Sequence, residues 1–499
     1  MEGEAGGDAL TARGGPGRSA LDRLLARAVE VRPHEVRAML TAFAYFFFVL
    51  SGWFVLRPIR DAMAAASGVS QLPWLFAGTL TAMLICNPLY SALVVRFPVR
   101  RFIPITYHFF VVNLLAFYVL MRVVSPSEGS SVDEWVGRVF FVWTSVFNLF
   151  VVSVFWSFLA DVFGSEQGKR LFGFIGVGGT LGSIAGSAAT AFLASTIGTV
   201  NLLLVSAVLL ECAVAAVLLF PSGPRAGAPA VAGVAGVAGV AGVAGVAGVA
   251  GVAGVAGVAG VAGVAGVAGV AGASAIVALD QTPIGGSVWA GVTRIVRSPY
   301  LLGIAAFLAL YTIGSTFLYF QQSDLVGRFY ADRAARTTVL AQLELAVQVL
   351  TVVTQIFLTG RIIRWFGLGA ALAFVPLLGV VGFAGLGALP IFATLAVFTV
   401  LRRAGNFALM NPAMDVLFTV STREDKYKAK SLIDTFVYRG GDQIGAWGYA
   451  GLVALGLGFA QIAFSAVPMA AVALVLGLWL GRRQAELAGE RPGAAPAVA

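Results

Sequence analysis

Leu40-Thr41-Ala42-Phe43-Ala44-Tyr45-Phe46-Phe47-Phe48-Val49-Leu50-Ser51-Gly52-Trp53-Phe54-Val55-Leu56 contains no charge and runs directly into Arg57-Pro58-Ile59-Arg60-Asp61. A helix crosses roughly 30 Å of hydrocarbon with about 20 apolar residues, so this stretch reads as a membrane span that meets a charged cluster. Runs of the same kind recur along the chain: 36–56, 72–94, 102–122, 136–160, 171–195 and 200–220, then, after a long gap, 300–321, 339–359, 367–389, 391–418, 433–455 and 457–481. With 59% hydrophobic and 11% charged residues over 499 positions, the chain has too little polar surface for a soluble fold. Continuous runs, without the ten-residue alternation of an outer-membrane strand, select helices over a barrel. The expected class is an all-α membrane protein of about twelve transmembrane helices, its lipid partner being the bilayer itself.

Basic residues fall into alternate gaps. They fill the N-terminal tail (Arg13, Arg18, Arg23, Arg27, Arg32) and recur at Arg96, Arg100 and Arg101, at Lys169 and Arg170, at Arg361 and Arg364, and over 423–430. The positive-inside rule makes those faces cytoplasmic and places both termini there, as in a protein of a bacterial inner membrane. The net charge of +9 is then topogenic, and no nucleic-acid partner is expected. The Arg- and Gly-rich start lacks the apolar core of a signal peptide, so the first span acts as the insertion signal. Cys86 and Cys212 lie within spans and the only histidines are His34 and His108, which indicates neither a disulfide framework nor a metal site.

The gap after the sixth span holds Val-Ala-Gly repeated fourteen times, over 231–272. Glycine at every third position costs about 0.8–1.0 kcal/mol each in helix propensity, so a flexible spacer or expanded low-complexity insert is expected, with a membrane-associated helix as the alternative. The resulting division is a tail (1–35), an N-terminal six-helix bundle (36–220), a central cytoplasmic loop (221–299), a C-terminal six-helix bundle (300–481) and a second tail (482–499). The halves echo one another. Phe54-Val55-Leu56-Arg57-Pro58-Ile59-Arg60-Asp61 matches Phe317-Leu318-Tyr319-Phe320-Gln321-Gln322-Ser323-Asp324, each reading as the polar close of its helix. Asp161-Val162-Phe163 with Gly178-Gly179 matches Asp415-Val416-Leu417 with Gly440-Gly441. Together these favour two pseudo-two-fold related bundles of the major facilitator type.

Ionisable groups inside the spans cost about 2.5–3.5 kcal/mol each at the bilayer centre and face a partner or a watery cavity. Arg402 and Arg403 lie within the tenth span with Asn406, Asn411 and Asp415; the eleventh adds Asp434, Arg439 and Asp442. Two readings stand: internal ion pairs, such as Arg403 with Asp415, or arginines of both halves (Arg57, Arg60, Arg402, Arg403, Arg439) converging on a midplane anion site, because guanidinium grips carboxylate or phosphate bidentately. Glu344, among Gln342, Gln348 and Gln355, is either a proton or gating carboxylate or a group hydrogen-bonded to those glutamines. Gly178, Gly182 and Gly186 form a small-xxx-small pattern that lets a neighbouring helix approach. No Walker A loop and no GxGxxG after a strand is present, and no paired nucleophile and base or ligand set points to an enzyme.

Leu56-Arg57-Pro58-Ile59-Arg60-Asp61, Phe155-Trp156-Ser157-Phe158-Leu159-Ala160-Asp161 with Lys169-Arg170-Leu171-Phe172, Asn411-Pro412-Ala413-Met414-Asp415, and Lys428-Ala429-Lys430-Ser431-Leu432-Ile433-Asp434 through Arg439-Gly440-Gly441 resemble the non-mitochondrial ATP/ADP antiporters of plastids and intracellular bacteria. The resemblance implies nucleotide exchange. It puts Arg60 where that family has a cation important for exchange, and Lys430 and Asp434 on its Lys-Ala-x-x-Asp element. The chain departs from the pattern at Met414 and Asp442, where the family carries lysines, and at Thr144 or Ser145, where it has a glutamate.

The reading is a secondary transporter exchanging nucleotides or a related phosphorylated anion, without cofactor and favoured as a monomer. Its substrate-binding candidates are Arg57, Arg60, Asp61, Asn148, Asp161, Arg402, Arg403, Asp415, Lys430, Asp434 and Arg439, with Glu344, Asp324, Lys169 and Arg170 in coupling or gating. The alternatives are a proton-coupled carrier of another organic anion and a non-transporting membrane sensor or scaffold.

Overall fold

In a computed structural model, described over residues 32, 34–96, 99–124, 130–163, 165–220, 289–421 and 429–489, the chain is helical and contains no strand among those residues. The first half supplies α1 (Val36–Ala66), α2 (Leu72–Arg96), α3 (Val99–Val119), α4 (Ser131–Val162), α5 (Ser165–Ile197) and α6 (Leu202–Leu218). After a nine-residue helix, Trp289–Arg297, the second half supplies α7 (Pro299–Phe329), α8 (Arg333–Phe357), α9 (Thr359–Ala388), α10 and α11, then α12 (Phe459–Gly489). Three of these carry a π-helical stretch among the described residues: α3 ends in one, Leu120–Val124, while α10 runs Phe392–Gly405, Asn406–Met410 (π), Asn411–Leu417, and α11 runs Lys430–Leu432, Ile433–Val437 (π), Tyr438–Ala454. Nine described helices are long and apolar enough to cross a bilayer; Leu202–Leu218 is a shorter apolar helix, and α10 and α11 are divided by their π turns. The chain is an integral membrane protein. The Val-Ala-Gly tract lies outside the described residues.

Helix is the only local structure these runs can adopt in lipid, since each N–H and C=O must find its partner within the segment. Ends are fixed by side-chain caps: Ser130 Oγ accepts from the Asp133 N–H (3.2 Å), and an Asp332 carboxylate oxygen accepts from the Ala335 N–H (2.9 Å). Gly68 and Gly198, at φ 80° and 82°, turn the chain just beyond α1 and α5, in a region that side chains with a Cβ avoid.

Several helices outrun their hydropathy. Hydropathy ends the first span at residue 56 and the seventh at 321, but α1 continues to Ala66 and α7 to Phe329. Both charged clusters therefore lie inside helices and not at their ends. The charges of α1 are buried there because groups from other helices satisfy them, and Pro58 sits within the helix without ending it.

The pairings of one half recur in the other. α1 packs on α5 and α6 as α7 packs on α11 and α12; α3 packs on α6 as α9 does on α12; α2 meets α4 as α8 meets α10. Across the halves, α5 packs on α8 and α2 on α11, a pair of contacts that exchange under the same pseudo-two-fold relation. Each half has its own apolar core, and a third cluster, including Leu72, Phe141, Phe320 and Tyr449, spans both.

The glycine pattern of α5 does what its spacing implies. A Cβ added at Gly178, Gly182 or Gly186 would strike the backbone carbonyls of Phe43, Phe47 and Ser51 on α1. This closeness lets Ser51 Oγ donate to the Gly182 carbonyl (3.1 Å), while Ser206 Oγ of α6 donates to the Gly52 carbonyl (3.0 Å). α1 is thus held rigidly between α5 and α6, and its charged segment, one to two turns further on, has a fixed position.

Candidate functional site

Arg57, Arg60 and Asp61 project from α1 into the boundary between the halves, where they meet Glu344 of α8, Arg403 of α10 and Tyr319 of α7. Glu344 lies about 16 Å along α8 at 1.5 Å per residue, near mid-depth. Its carboxylate accepts from both terminal nitrogens of Arg403, one at 3.0 Å, in the bidentate geometry that matches fork to fork. Arg57 reaches the same carboxylate from the other half, Nη1 to Oε2 at 3.3 Å, and its Nε lies 4.0 Å from Asp61. Arg60 donates from Nε and Nη2 to Asp61 Oδ1 (2.9 and 2.7 Å), and the Tyr319 hydroxyl donates to that oxygen from the second half (3.0 Å). Each half therefore contributes one carboxylate that the other half holds.

The guanidinium of Arg60 lies over the rings of Phe141 (5.0 Å) and Trp53 (5.7 Å), and that of Arg57 over Phe54 (5.8 Å). Arg402 takes a different environment: it donates to Ser315 Oγ (2.8 Å) and the Tyr311 carbonyl (3.0 Å), and stacks over the Tyr311 ring. Its partners are neutral. Four arginines thus stand with two carboxylates, Asp61 and Glu344, in a region where Arg60 is 2% exposed and Glu344 3%. Buried donors also remain: Arg60 Nη1 and Arg57 Nε have no hydrogen-bond partner among the described residues.

Two expectations are corrected here. Arg403 pairs with Glu344 and not with Asp415, because twelve residues along one helix separate side chains by about 18 Å. Glu344 is held by arginines and not by Gln342, Gln348 or Gln355: Gln348 Oε1 accepts from Ser183 Oγ of α5 (3.2 Å), and Gln355 donates to the Phe407 carbonyl (3.2 Å).

The other candidates lie in separate groups. Asp415 accepts from Lys430 (2.6 Å), with Asp434 beside the pair in the π turn of α11. Arg439 donates to Asp442 (3.2 Å), which accepts from Thr316 of α7 (3.3 Å). Asn148 is fully buried in α4, Asp161 is exposed at the end of α4, and Asp324 pairs with Arg328 within α7. Lys169 lies in α5, its side chain outside the described set. Arg170 donates to Glu35 (2.9 and 3.2 Å), which also accepts from Gln167 and the Arg32 N–H. Burial alone raises the Glu35 carboxyl, but those donors, Arg170 foremost, outweigh it and hold it at about 2.

Sequence reasoning passed over an ion pair that links the halves at the face reached by the C-terminal ends of α1 and α7. There Arg333, opening α8, donates to both oxygens of Asp133, opening α4 (2.6 and 2.5 Å). Trp74 and Trp447 meet edge-to-face nearby (5.0 Å), and Phe76 contacts Tyr319 and Phe320. The available signal was an acid and a base each beginning a span, which is ordinarily read as a solvated end.

No protein-family model matches the sequence, and no curated protein matches it. Among solved structures, an auto-inhibited POT family peptide transporter superposes with a TM-score of 0.50 at 16% identity, covering 93% of this chain and 98% of that one. The major facilitator proton:xylose symporter XylE bound to 6-bromo-6-deoxy-D-glucose gives 0.49 at 14% identity (90% and 95% covered), and the POT family transporter PepTSo 0.49 at 17% (92% and 99%). At such identity the likeness speaks for architecture alone: the chain has the fold of that peptide transporter, its described residues forming twelve long helices in two bundles whose pairings repeat.

Proposed function

We propose that the chain is a secondary transporter that exchanges nucleotides or a related phosphorylated anion by alternating access, with the arginine cluster between its halves as the site. The observation that carries this reading is the surplus of buried cation: Arg57, Arg60, Arg402 and Arg403 stand against Asp61 and Glu344, with guanidinium N–H groups still unpaired. An anion with several oxygens answers both deficits, and guanidinium binds phosphate and carboxylate in the same forked geometry. The resemblance of the Arg57–Asp61 and Lys430–Asp434 segments to nucleotide exchangers supports a phosphorylated substrate. Met414 and Asp442, which stand where that family carries lysines, favour one with less charge than a triphosphate.

In this reading 36–220 and 300–481 are the two moving bundles, joined by the loop 221–299, and both termini are cytoplasmic in a bacterial inner membrane. The face closed by Asp133–Arg333 and Trp74–Trp447 is then the outer one, so substrate enters this state from the cytoplasm. Glu344 and Asp61 occupy the arginines when substrate is absent; an incoming anion takes over those donors, loosens the bonds that cross between halves, and permits rocking.

Uptake of labelled ATP and ADP into proteoliposomes, with and without internal nucleotide, tests the proposal. Stimulation by internal nucleotide, abolished by Arg60→Ala in a folded preparation, is the expected outcome. Absence of uptake of nucleotides, sugar phosphates and inorganic phosphate alike by folded protein refutes it.

A further inference from the structure

The outer surface of the first half carries an ionisable pair where hydrocarbon is expected. α3 and α6 pack on each other at the periphery of their bundle, and α3 turns a continuous stripe outward: Ile105, His108, Phe109, Val112, Leu115, Val119. His108 sits in that stripe, roughly 9 Å inside the nearer end of the span Phe102–Val123. Glu211 lies at the middle of α6, between the outward Val208 and Ala215. The two meet at 3.4 Å, His108 Nε2 to Glu211 Oε2, with side chains 53% and 43% exposed.

The surroundings leave the pair incompletely served. His108 Nδ1 is engaged by the Pro104 carbonyl at 2.6 Å, so Nε2 is its outward-facing nitrogen. Glu211 makes this one polar contact among the described residues, although a carboxylate offers about four acceptor positions. An ionisable side chain facing acyl chains is costly, which is why such groups almost always face protein or water. The fold does not require the pair. The pseudo-symmetric surface, α9 and α12, is free of charge from Trp365 through Ala388 and from Phe459 through Gly481.

We infer that this stripe is an intramembrane interface with a second copy of this chain, related by a two-fold axis that reciprocates His108 of each copy with Glu211 of the other. Three features select a second copy over another partner. The pair is its own complement, carrying a donor and an acceptor side by side, as an isologous contact needs. The residues around it are apolar but for Asn113, so the match in charge rests on the pair itself. Ala116 on α3 and Ala215 on α6, both exposed, allow backbones to approach, the usual condition for helix association in lipid. The expected monomer is then the dissociated form. This inference does not rest on the transport reading, because none of the stripe's residues belongs to the arginine cluster.

Counting photobleaching steps of singly labelled full-length protein in liposomes, over falling protein-to-lipid ratio, tests it. Wild type is expected to show two-step spots that give way to single steps on dilution. Changing both His108→Leu and Glu211→Leu is expected to weaken dimerisation about tenfold, equivalent to 1.4 kcal/mol. Exchanging the pair, His108→Glu with Glu211→His, restores it, and His108→Glu alone, which sets two carboxylates together, weakens it further. Should those variants not fold, Val112→Trp crowds the same stripe with His108 and Glu211 intact and is expected to disrupt the dimer. Single steps for wild type at every ratio overturn the inference. So does dimerisation of the double leucine variant equal to wild type, or co-purification of a different membrane protein whose loss accompanies Glu211→Leu.

Discussion

Replacing Glu344 by alanine removes the one carboxylate that Arg403 grips with both terminal nitrogens and that Arg57 reaches at 3.3 Å. Breaking a buried ion pair by deleting one partner costs about 3–5 kcal/mol, most of it the penalty of the stranded charge. Glu344→Ala strands two guanidiniums, though Arg57 keeps Asp61 at 4.0 Å, so its cost belongs in the upper part of that range. Arg403→Ala leaves Glu344 with Arg57 and costs less, about 1.5–3 kcal/mol for the lost charge-assisted hydrogen bonds. The double variant is expected to cost less than the sum of the singles by about 2 kcal/mol, and the Arg57–Glu344 cycle to give a coupling about half as large. Equilibrium unfolding in mixed micelles, followed by the fluorescence of the nine tryptophans, measures all the corners. A further variant separates structure from function: Glu344→Leu with both Arg57→Met and Arg403→Met replaces the whole charged group by apolar volume, leaving Asp61 to Arg60 and Tyr319, and such exchanges are commonly neutral or stabilising. It is expected to fold as well as wild type and to transport nothing. Additivity of the single variants within about 0.5 kcal/mol would refute the assigned pairing.

Gly182→Ala drives a methyl group into the Phe47 carbonyl and is expected to cost about 1–3 kcal/mol, or to prevent assembly of α1 with α5, as read by thermal unfolding. The depressed carboxyl of Glu35 contributes stability that is fully present above about pH 4.5 and is lost as the pH falls towards 2, so the advantage of wild type over Glu35→Gln is expected to vanish across that window in pH-dependent unfolding. Asp133→Asn weakens the link with Arg333 and is expected to raise the open fraction of that face at least tenfold, for which about 1.4 kcal/mol suffices; fluorophores on the openings of α4 and α8 would report it as a longer distance.

The spans were legible because hydrocarbon sets one length and one backbone solution, so that even the π-broken α10 and α11 announce themselves by apolar content. Where hydropathy misled was at charges: Arg57 and Asp61 read as an end of helix, since a window of residues along one chain cannot see Glu344 and Tyr319 arriving from the other half. The same blindness hid the Arg403–Glu344 pair, close only once α8 and α10 pack within the second half, and the Asp133–Arg333 link, close only once the bundles have docked. His108 is the instructive omission. By sequence it is one of only two histidines, too few for a metal site, and its position in an outward stripe beside Glu211 shows only with α3 and α6 set next to each other.

The π turns have a consequence for the ancestry of the chain. Each accommodates one residue more than an α-helix of the same path, and a single added residue rotates everything downstream by about 100°. Apart from the one that ends α3, they fall inside α10 and α11, whereas the corresponding α4 and α5 are continuous. Two copies of one ancestral half would therefore slip out of register by a residue at each turn. A position-by-position alignment of the halves loses the echo there, even where the helices still superpose. The insertions also leave the second half with two weak points in its backbone ladder beside the arginines, and the first half with none at the matching places. The two bundles are alike in outline and unequal in stiffness.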